Sequence, residues 1–441
     1  MTKNAEDNSL SQNEGDKELA IIEKNGFLVK NKIFLDKVGA GFSSIQVLNI
    51  LFYFTGASFF LIGIINAIRS SLANVTSYVV RNELSKGKFS KKIMVYSGIF
   101  FGFTYLFIAL GVSLGLKWIF ALSLLLGSVF FTIHSDLFQT FTEKYLRRIK
   151  SNVLTEKWTM IGLFVTLVTI FLSTYIIDSV PFSGKIFVFP LIGAAPYYGY
   201  LISFEFAAFA FILSSYFLMK LKLEFISSTT EDANSKNYFK EIFYGGSTFF
   251  KNKYLSMLMF ATIFLGAFQA IINSFLGIYI YTEFFDSYLG GFLNVGLMIA
   301  FALVVVLIGS KIASKMNKNM GVAPLFVFGT LLMAILPLTI VFNPYFPAII
   351  AANMLSVLGA AMIGSGHNLV TARLLNEKDR ETYYMYSGLI AIIPFILFTA
   401  ILSFIAQRAG IVEVFRYAGF GLIVCLVPIY FSIVVWISKK N

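Results

Sequence analysis

The feature that most constrains this chain is a series of long apolar segments that recur along almost its whole length. A helix needs about 20 predominantly apolar residues to cross about 30 Å of hydrocarbon. Twelve segments meet that requirement, near residues 33–54, 58–80, 93–115, 118–142, 158–177, 198–219, 254–282, 288–309, 321–342, 346–372, 383–406 and 414–437. The pattern predicts an all-α integral membrane protein with twelve transmembrane helices.

The composition agrees with this interpretation and argues against an enzyme. Hydrophobic residues make up 57% of the 441 residues and charged residues only 13%, whereas soluble proteins have about 45–50% and about 25%. The single cysteine, Cys425, and the two histidines exclude a disulfide framework and a structural zinc site. The sequence contains no nucleotide-binding loop, metalloprotease motif or nucleophile elbow. We therefore expect no enzymatic activity, no cofactor and no resident metal ion.

The basic residues indicate how the chain is oriented in a membrane. A net charge of +12 would also fit a nucleic-acid-binding protein. However, most of the 35 Lys and Arg residues lie in alternate connections between the predicted helices, such as 81–92, 143–157 and 220–253. Cytoplasmic connections carry such an excess in membrane proteins. We therefore predict a plasma-membrane protein in the lipid bilayer, with both termini cytoplasmic and no nucleic-acid partner.

The chain divides into two halves of similar length. A polar stretch separates six predicted helices from the following six, which suggests an internal repeat. The first and seventh helices each carry a pair of amides, and the two histidines fall on the fourth and tenth helices. The predicted organisation is a disordered cytoplasmic tail (1–32), an N-terminal six-helix bundle (33–219), a cytoplasmic linker (220–253), a C-terminal six-helix bundle (254–437) and a cytoplasmic tail (438–441).

This organisation resembles the major facilitator superfamily, which has two six-helix bundles, a long cytoplasmic linker and basic turns after the second and eighth helices. The family's turn motif, G-x-x-x-D-R-x-G-R-K, is matched loosely. In the second half its Gly, Asp, Arg, Gly and Arg places hold Ser310, Ser314, Lys315, Asn317 and Lys318. In the first half Gly87 and Lys88 match, but Leu84 replaces the Asp. The resemblance covers about 33–437, assigns no subfamily, and implies alternating-access transport of small solutes.

Three ionisable residues within the predicted helices are candidates for proton coupling. Charged side chains in a bilayer are costly and are functional candidates by default. Asp136 is the predicted proton carrier, Arg69 its switchable partner and Glu205 the second acidic candidate. His134 is a further candidate at the membrane centre. The alternatives are a structural ion pair between Arg69 and Asp136, a locally paired Glu205, and a packing role for His134 among phenylalanines.

Polar stripes on the first, seventh and tenth helices predict the solute contacts. In the resembled fold these helices, with the fourth, surround the central cavity. The stripes recur at three- and four-residue spacing, so each occupies one helix face. The residues predicted to contact the solute are Gln46, Asn49, Gln269, Asn273, Asn353 and His367. For His367 a satisfied histidine between helices is the alternative.

Together these features predict a monomeric secondary active transporter of a small organic solute. Proton coupling is expected, with export favoured over import. The sparse charge and the 50 phenylalanines favour a neutral or amphipathic solute. Two alternatives stay open: a membrane scaffold that has the fold without moving solute, and a divalent-cation transporter that uses two imidazoles and one carboxylate.

Overall fold

The computed structural model shows a helical membrane architecture of major-facilitator type. Ten helical segments among the described residues are long and apolar enough to cross a membrane. The two remaining predicted spans are the first, which is interrupted, and the eighth, whose apolar part is the shorter segment Gly291–Val306. The structure describes residues 24–85, 90–146, 152–180, 185–189, 193–196, 199–221, 249 and 251–440.

Each predicted span corresponds to one helix or to two consecutive helices. The first half contains α1 (24–42), α2 (Ile45–Phe54), α3 (Phe59–Ser85), α4 (Lys91–Ser113), α5 (Lys117–Leu146), α6 (Asn152–Ser179) and α7 (Gly199–Met219). The second half contains α8 (Lys253–Glu283), α9 (Gly291–Met320), α10 (Val322–Phe342), α11 (Phe346–Leu374), α12 (Glu377–Ile390), α13 (Ile392–Ala409), α14 (Ile411–Gly421) and α15 (Val427–Lys440). The pairs α1–α2 and α12–α13 form the first and eleventh spans, and α14 with α15 forms the twelfth.

The first helix starts earlier than the sequence analysis predicted. Residues 24–32, assigned there to a disordered tail, are helical. Leu28 and Val29 are buried and pack in a cluster with Met94 and Leu218. Interspersed Lys and Asn residues lower the mean hydropathy of this segment, but Leu28 and Val29 are buried on one side of the helix, whereas Phe27 is exposed. Residues 1–23 of the predicted tail and 222–248 of the predicted linker lie outside the described residues.

Three further local features differ from the predicted helices. A two-stranded antiparallel hairpin, β1 (Lys185–Phe189) and β2 (Gly193–Pro196), lies between α6 and α7. The last helix continues to Lys440, into the predicted C-terminal tail. A π-helical segment, Leu422–Leu426, joins α14 to α15 just before Pro428. Because proline has no N–H group, the regular hydrogen-bond ladder is interrupted at this point, which favours a wider turn.

The most extensive contacts between the halves are made by three pairs of helices. Helix α2 packs against α8, α3 against α13, and α6 against α9. The α2–α8 pair joins the first and seventh spans, which are equivalent in the two halves. The other two pairs join the second span to the eleventh and the fifth span to the eighth. The pseudo-twofold axis between the halves maps one of these pairs onto the other, because the second span corresponds to the eighth and the fifth to the eleventh. This arrangement is the one that an internal repeat would produce.

Glycines allow close approach at each of these three contacts. A Cβ atom at Gly63 of α3 would collide with Ser403 of α13. One at Gly296 of α9 would collide with Thr174 of α6, and one at Gly277 of α8 would lie 2.9 Å from the backbone oxygen of Gln46. Small residues are the usual means by which membrane helices approach closely, because apolar burial drives no association between helices in lipid.

Candidate functional site

A cavity of about 660 Å³ lies among the helices of the N-terminal half. Its walls come from α1, α2, α3, α4, α5 and α7. Along the first span the lining runs from Lys32 to Leu48, about 24 Å at 1.5 Å per residue. Consecutive spans run in opposite directions. We call the end of the bundle at which α1 starts the termini end, and the opposite end the far end. The cavity extends from near the termini end past the middle of the membrane-spanning region, as far as Ile108 of α4 and Ser123 of α5.

The charged residues that line the cavity are mostly basic. They are Lys32, Asp36, Lys37 and Arg69. Lys32 forms an ion pair with Asp36, and the Ser214 hydroxyl also donates to Asp36. The Lys32 ammonium lies 3.5 Å from the centroid of the Phe138 ring, an arrangement that favours a cation. The single carboxylate of the lining is therefore already engaged by Lys32 and Ser214.

Arg69 faces this cavity from the middle of α3. It is partly buried, and its backbone oxygen accepts a hydrogen bond of 3.3 Å from the Ser128 hydroxyl. Within the described ranges its guanidinium has no carboxylate partner and no hydrogen bond. The buried phenol of Tyr105 is close enough to interact with it electrostatically. Arg69 is thus the sequence-predicted residue that the structure places most directly in a cavity.

Asp136 does not pair with Arg69. On α5 the cavity is lined at Ser128, Phe131, Thr132 and Ser135, and Asp136 is not among the lining residues. Its Oδ2 atom is buried without a hydrogen-bond partner. The predicted ion pair between Arg69 and Asp136 is therefore absent from this conformation, in which Arg69 lines the cavity and Asp136 does not.

The other two coupling candidates lie outside the cavity lining. His134 is buried, with Nδ1 2.9 Å from the carbonyl oxygen of Met94 on α4. Gly98 lies against the same imidazole, and any side chain there would collide with it. Glu205 is exposed on α7 and has an interaction partner. For His134 the structure shows the packing arrangement between α4 and α5 that was the alternative.

Two of the predicted solute contacts, Asn49 and the backbone of Asn273, belong to a hydrogen-bond network between the halves. Asn49 is fully buried, and its Oδ1 accepts a 3.0 Å bond from Asn66 Nδ2. Asn66 Nδ2 also lies 3.0 Å from Ser274 Oγ, and Asn49 Nδ2 donates to the backbone oxygen of Asn273 at 3.3 Å. The Asn273 side chain is exposed, whereas Gln46 accepts a 3.3 Å bond from Ser44. These amides join α2, α3 and α8.

The remaining predicted contacts lie between helices of the C-terminal half. Gln269 Nε2 lies 3.9 Å from the sulfur of Met333. Asn353 is buried and donates a 3.4 Å bond to the Met298 carbonyl. His367 is buried too, with Nε2 2.8 Å from the Tyr430 hydroxyl. His367 therefore joins α11 to α15 through Tyr430.

Sequence reasoning missed most of the cavity lining. The omitted residues include Lys32, Ser43, Tyr105 and Phe131. A signal was present on the first span, where lining residues recur at three- and four-residue spacing from Lys32 onward. It was missed because the first helix was predicted to start at residue 33.

The described residues contain no group of three or more His, Cys, Asp or Glu side chains that could hold a metal ion.

The far end is closed by contacts between the halves. Asp178, at the end of α6, accepts backbone hydrogen bonds from Phe292 (3.0 Å) and Leu293 (2.7 Å) in the first turn of α9. The ring of Phe54 lies 5.2 Å from that of Tyr281 and 6.2 Å from that of Phe292. A carboxylate at a helix N-terminus satisfies free N–H groups and interacts favourably with the helix dipole. Polar and aromatic contacts therefore join the two halves at the far end.

Two solved structures resemble the fold over almost the whole chain. No protein-family model matches the sequence, and no curated protein matches it by sequence. A crystal structure of a point mutant of the nucleoside transporter NupG superposes with a TM-score of 0.73, at 12% identity, over 93% of this chain and 99% of that chain. A second crystal structure of NupG gives 0.67, at 13% identity, over 93% and 98%. The chain therefore has the major-facilitator fold, as the sequence predicted.

Proposed function

We propose that the protein is a monomeric secondary active transporter, which carries a small organic solute across the plasma membrane with both termini in the cytoplasm. The observation that carries the proposal is the cavity of about 660 Å³, a volume within the roughly 300–1,000 Å³ of small-molecule sites. The fold supports it, because transporters of this architecture rock two bundles around a site near the bilayer midplane.

The far-end contacts fit one conformation of such a cycle. Asp178 and Phe54 connect the halves there, and these contacts must separate before the cavity can open to that side. Breaking two hydrogen bonds and an aromatic contact costs a few kcal/mol at most, which a bound solute or an ion gradient is able to supply. The contacts are thus weak enough to break in every cycle.

Asp136 is our candidate for proton coupling. Its Oδ2 atom is buried and has no hydrogen-bond partner among the described residues. Arg69 lies on the neighbouring helix and is the candidate partner in another conformation. Glu205 is the second acidic candidate, and His134 lies two residues from Asp136.

The test is transport by the purified full-length chain in lipid vesicles with an imposed pH gradient. The solute panel contains nucleosides, because NupG is a nucleoside transporter, together with sugars, organic acids, amino acids, cations and hydrophobic drugs. We expect accumulation of at least one class, faster in the export orientation. Absence of flux for every class would support the scaffold alternative and overturn the proposal.

Coupling is tested with Asp136→Asn, and Glu205→Gln tests the second candidate. We expect Asp136→Asn to abolish pH-driven accumulation and to leave solute exchange without a gradient intact, because the amide cannot carry a proton. Glu205→Gln should retain both activities. Accumulation that persists in Asp136→Asn would contradict the assignment, and loss in Glu205→Gln alone would transfer the coupling role to Glu205.

A further inference from the structure

The cavity carries more positive than negative charge. Lys32, Lys37 and Arg69 line it, against the single carboxylate of Asp36. Asp36 is engaged by Lys32 and by the Ser214 hydroxyl. In the part of the chain that the structure describes, neither Lys37 nor Arg69 has a carboxylate partner. Two cations of the lining therefore lack a counter-charge from the protein.

Arg69 makes this imbalance costly. It lies ten residues into α3 from the far end, which places its Cα about 15 Å along the helix, near the centre of the membrane. A guanidinium stays charged in proteins, so it cannot lower this cost by releasing its proton. A cation at this depth is tolerated where it meets water or an anion. An anion bound in the cavity would supply the missing negative charge.

The wall around Arg69 also provides an apolar surface. Phe101 lies 5.0 Å from Phe131 and 4.6 Å from Phe211, measured between ring centroids. Tyr105 stacks on Phe211 at 5.5 Å. These four aromatic residues line the same cavity as Arg69, which is large enough for a molecule with a ring or a short hydrocarbon body.

We propose that the cavity binds an organic anion, with its carboxylate or phosphate group on Arg69 and its apolar body against Phe101, Phe131 and Phe211. The planar fork of a guanidinium matches either oxyanion through two parallel hydrogen bonds. Lys37 adds a second positive charge to the same lining. The inference rests on the proposed transport function and replaces the neutral or amphipathic solute expected from the sequence with an anionic one.

The test uses four probes of similar size and different charge. Benzoate and phenyl phosphate are the anions, benzyl alcohol is neutral, and benzylammonium is a cation. Thermal unfolding of the full-length protein in lipid nanodiscs measures binding. We expect the anions to raise Tm and the other two to have little effect. A larger rise with benzoate assigns carboxylates, and a larger rise with phenyl phosphate assigns phosphate esters.

Variants connect the binding to Arg69. Removing a charge-assisted hydrogen-bond donor costs about tenfold or more in affinity, so Arg69→Gln should abolish the anion-dependent rise in Tm. Arg69→Lys keeps the charge but loses the fork, so it should bind more weakly than wild type; it serves as the second variant if Arg69→Gln does not fold. Arg408→Gln is the matched control, because Arg408 is exposed at the far end of α13.

The outcomes separate this inference from the transport proposal. The inference is overturned if no anion raises Tm, if benzyl alcohol is as effective as benzoate, or if Arg69→Gln keeps the wild-type response. If Arg69 acts only as a partner of Asp136, no anion should raise Tm. Anion binding without flux in vesicles would refute transport and retain the anion site. Flux of a neutral solute that Arg69→Gln does not affect would refute the anion site and support transport.

Discussion

Substitution of Asp178 measures how strongly the two halves are held together at the far end. The Asp178 carboxylate holds the first turn of α9 through bonds of 3.0 and 2.7 Å to Phe292 and Leu293. Removing a helix N-cap typically costs about 1 kcal/mol, and the second bond and the helix dipole add to this. Because the Asp178 side chain is exposed, solvent screening keeps the total to about 1–2 kcal/mol. Asp178→Ala should therefore shift the conformational equilibrium toward far-end opening by about 5- to 30-fold.

The assay is the rate of labelling of a single cysteine that lines the cavity. Cys425→Ala removes the native thiol, and Ser44→Cys places a reporter in the lining. A membrane-impermeant maleimide added from the far side should label the Asp178→Ala protein faster by the factor given above. Asp178→Asn, which keeps one acceptor oxygen, should give a smaller increase.

The control is Glu413→Ala, because Glu413 pairs with Arg416 at 3.0 Å within α14 and makes no contact of this kind between the halves. Its labelling rate should equal that of the parent protein, since exposed ion pairs contribute little. An unchanged rate in Asp178→Ala, or an increase only for reagent added from the termini side, would refute the idea that Asp178 holds the far end closed.

Two further substitutions test the interhelical hydrogen bonds. Asn66→Ala should lower the free energy of unfolding by about 1 kcal/mol, because it leaves Asn49 and Ser274 without their shared donor; thermal unfolding in detergent measures this, and an unchanged Tm would contradict it. Tyr430→Phe removes the hydroxyl that contacts His367 at 2.8 Å and should lower Tm by an amount that corresponds to about 1–2 kcal/mol, while solute affinity in vesicles stays unchanged. If Tyr430→Phe binds solute more weakly while its stability is unchanged, His367 would belong to the solute site.

Hydropathy predicted the spans well because a bilayer imposes a length and an apolar composition on every helix that crosses it. The start of α1 was predicted poorly for the same reason. Leu28 and Val29 pack against protein near the termini end, where Lys and Asn residues can remain beside them. No window of mean hydropathy distinguishes such an amphipathic extension from a polar tail.

The site was less predictable than the fold. Periodicity identified polar helix faces, but it does not reveal whether such a face meets a cavity or another polar helix. Asn49 meets Asn66, whereas Arg69 meets the cavity. Asp136 and Arg69 were paired in the prediction because Arg69 is a well-embedded base on one polar stripe and Asp136 an acid on a similar stripe. Whether the two stripes face each other depends on the rotation of each helix about its axis. That rotation is set by tertiary packing, as at Gly98, where α4 and α5 approach around His134.

Where the two halves touch, Gly63, Gly277 and Gly296 present bare backbone to the opposing helix. At Gly63 and Gly296 the facing side chains are the short ones of Ser403 and Thr174, so one half can roll over the other with little loss of packing. At the same positions there is no space for a larger residue. A single added methyl group at any of these points would act as a spacer and fix the angle between the halves, so the sites most permissive of motion are also the least tolerant of substitution.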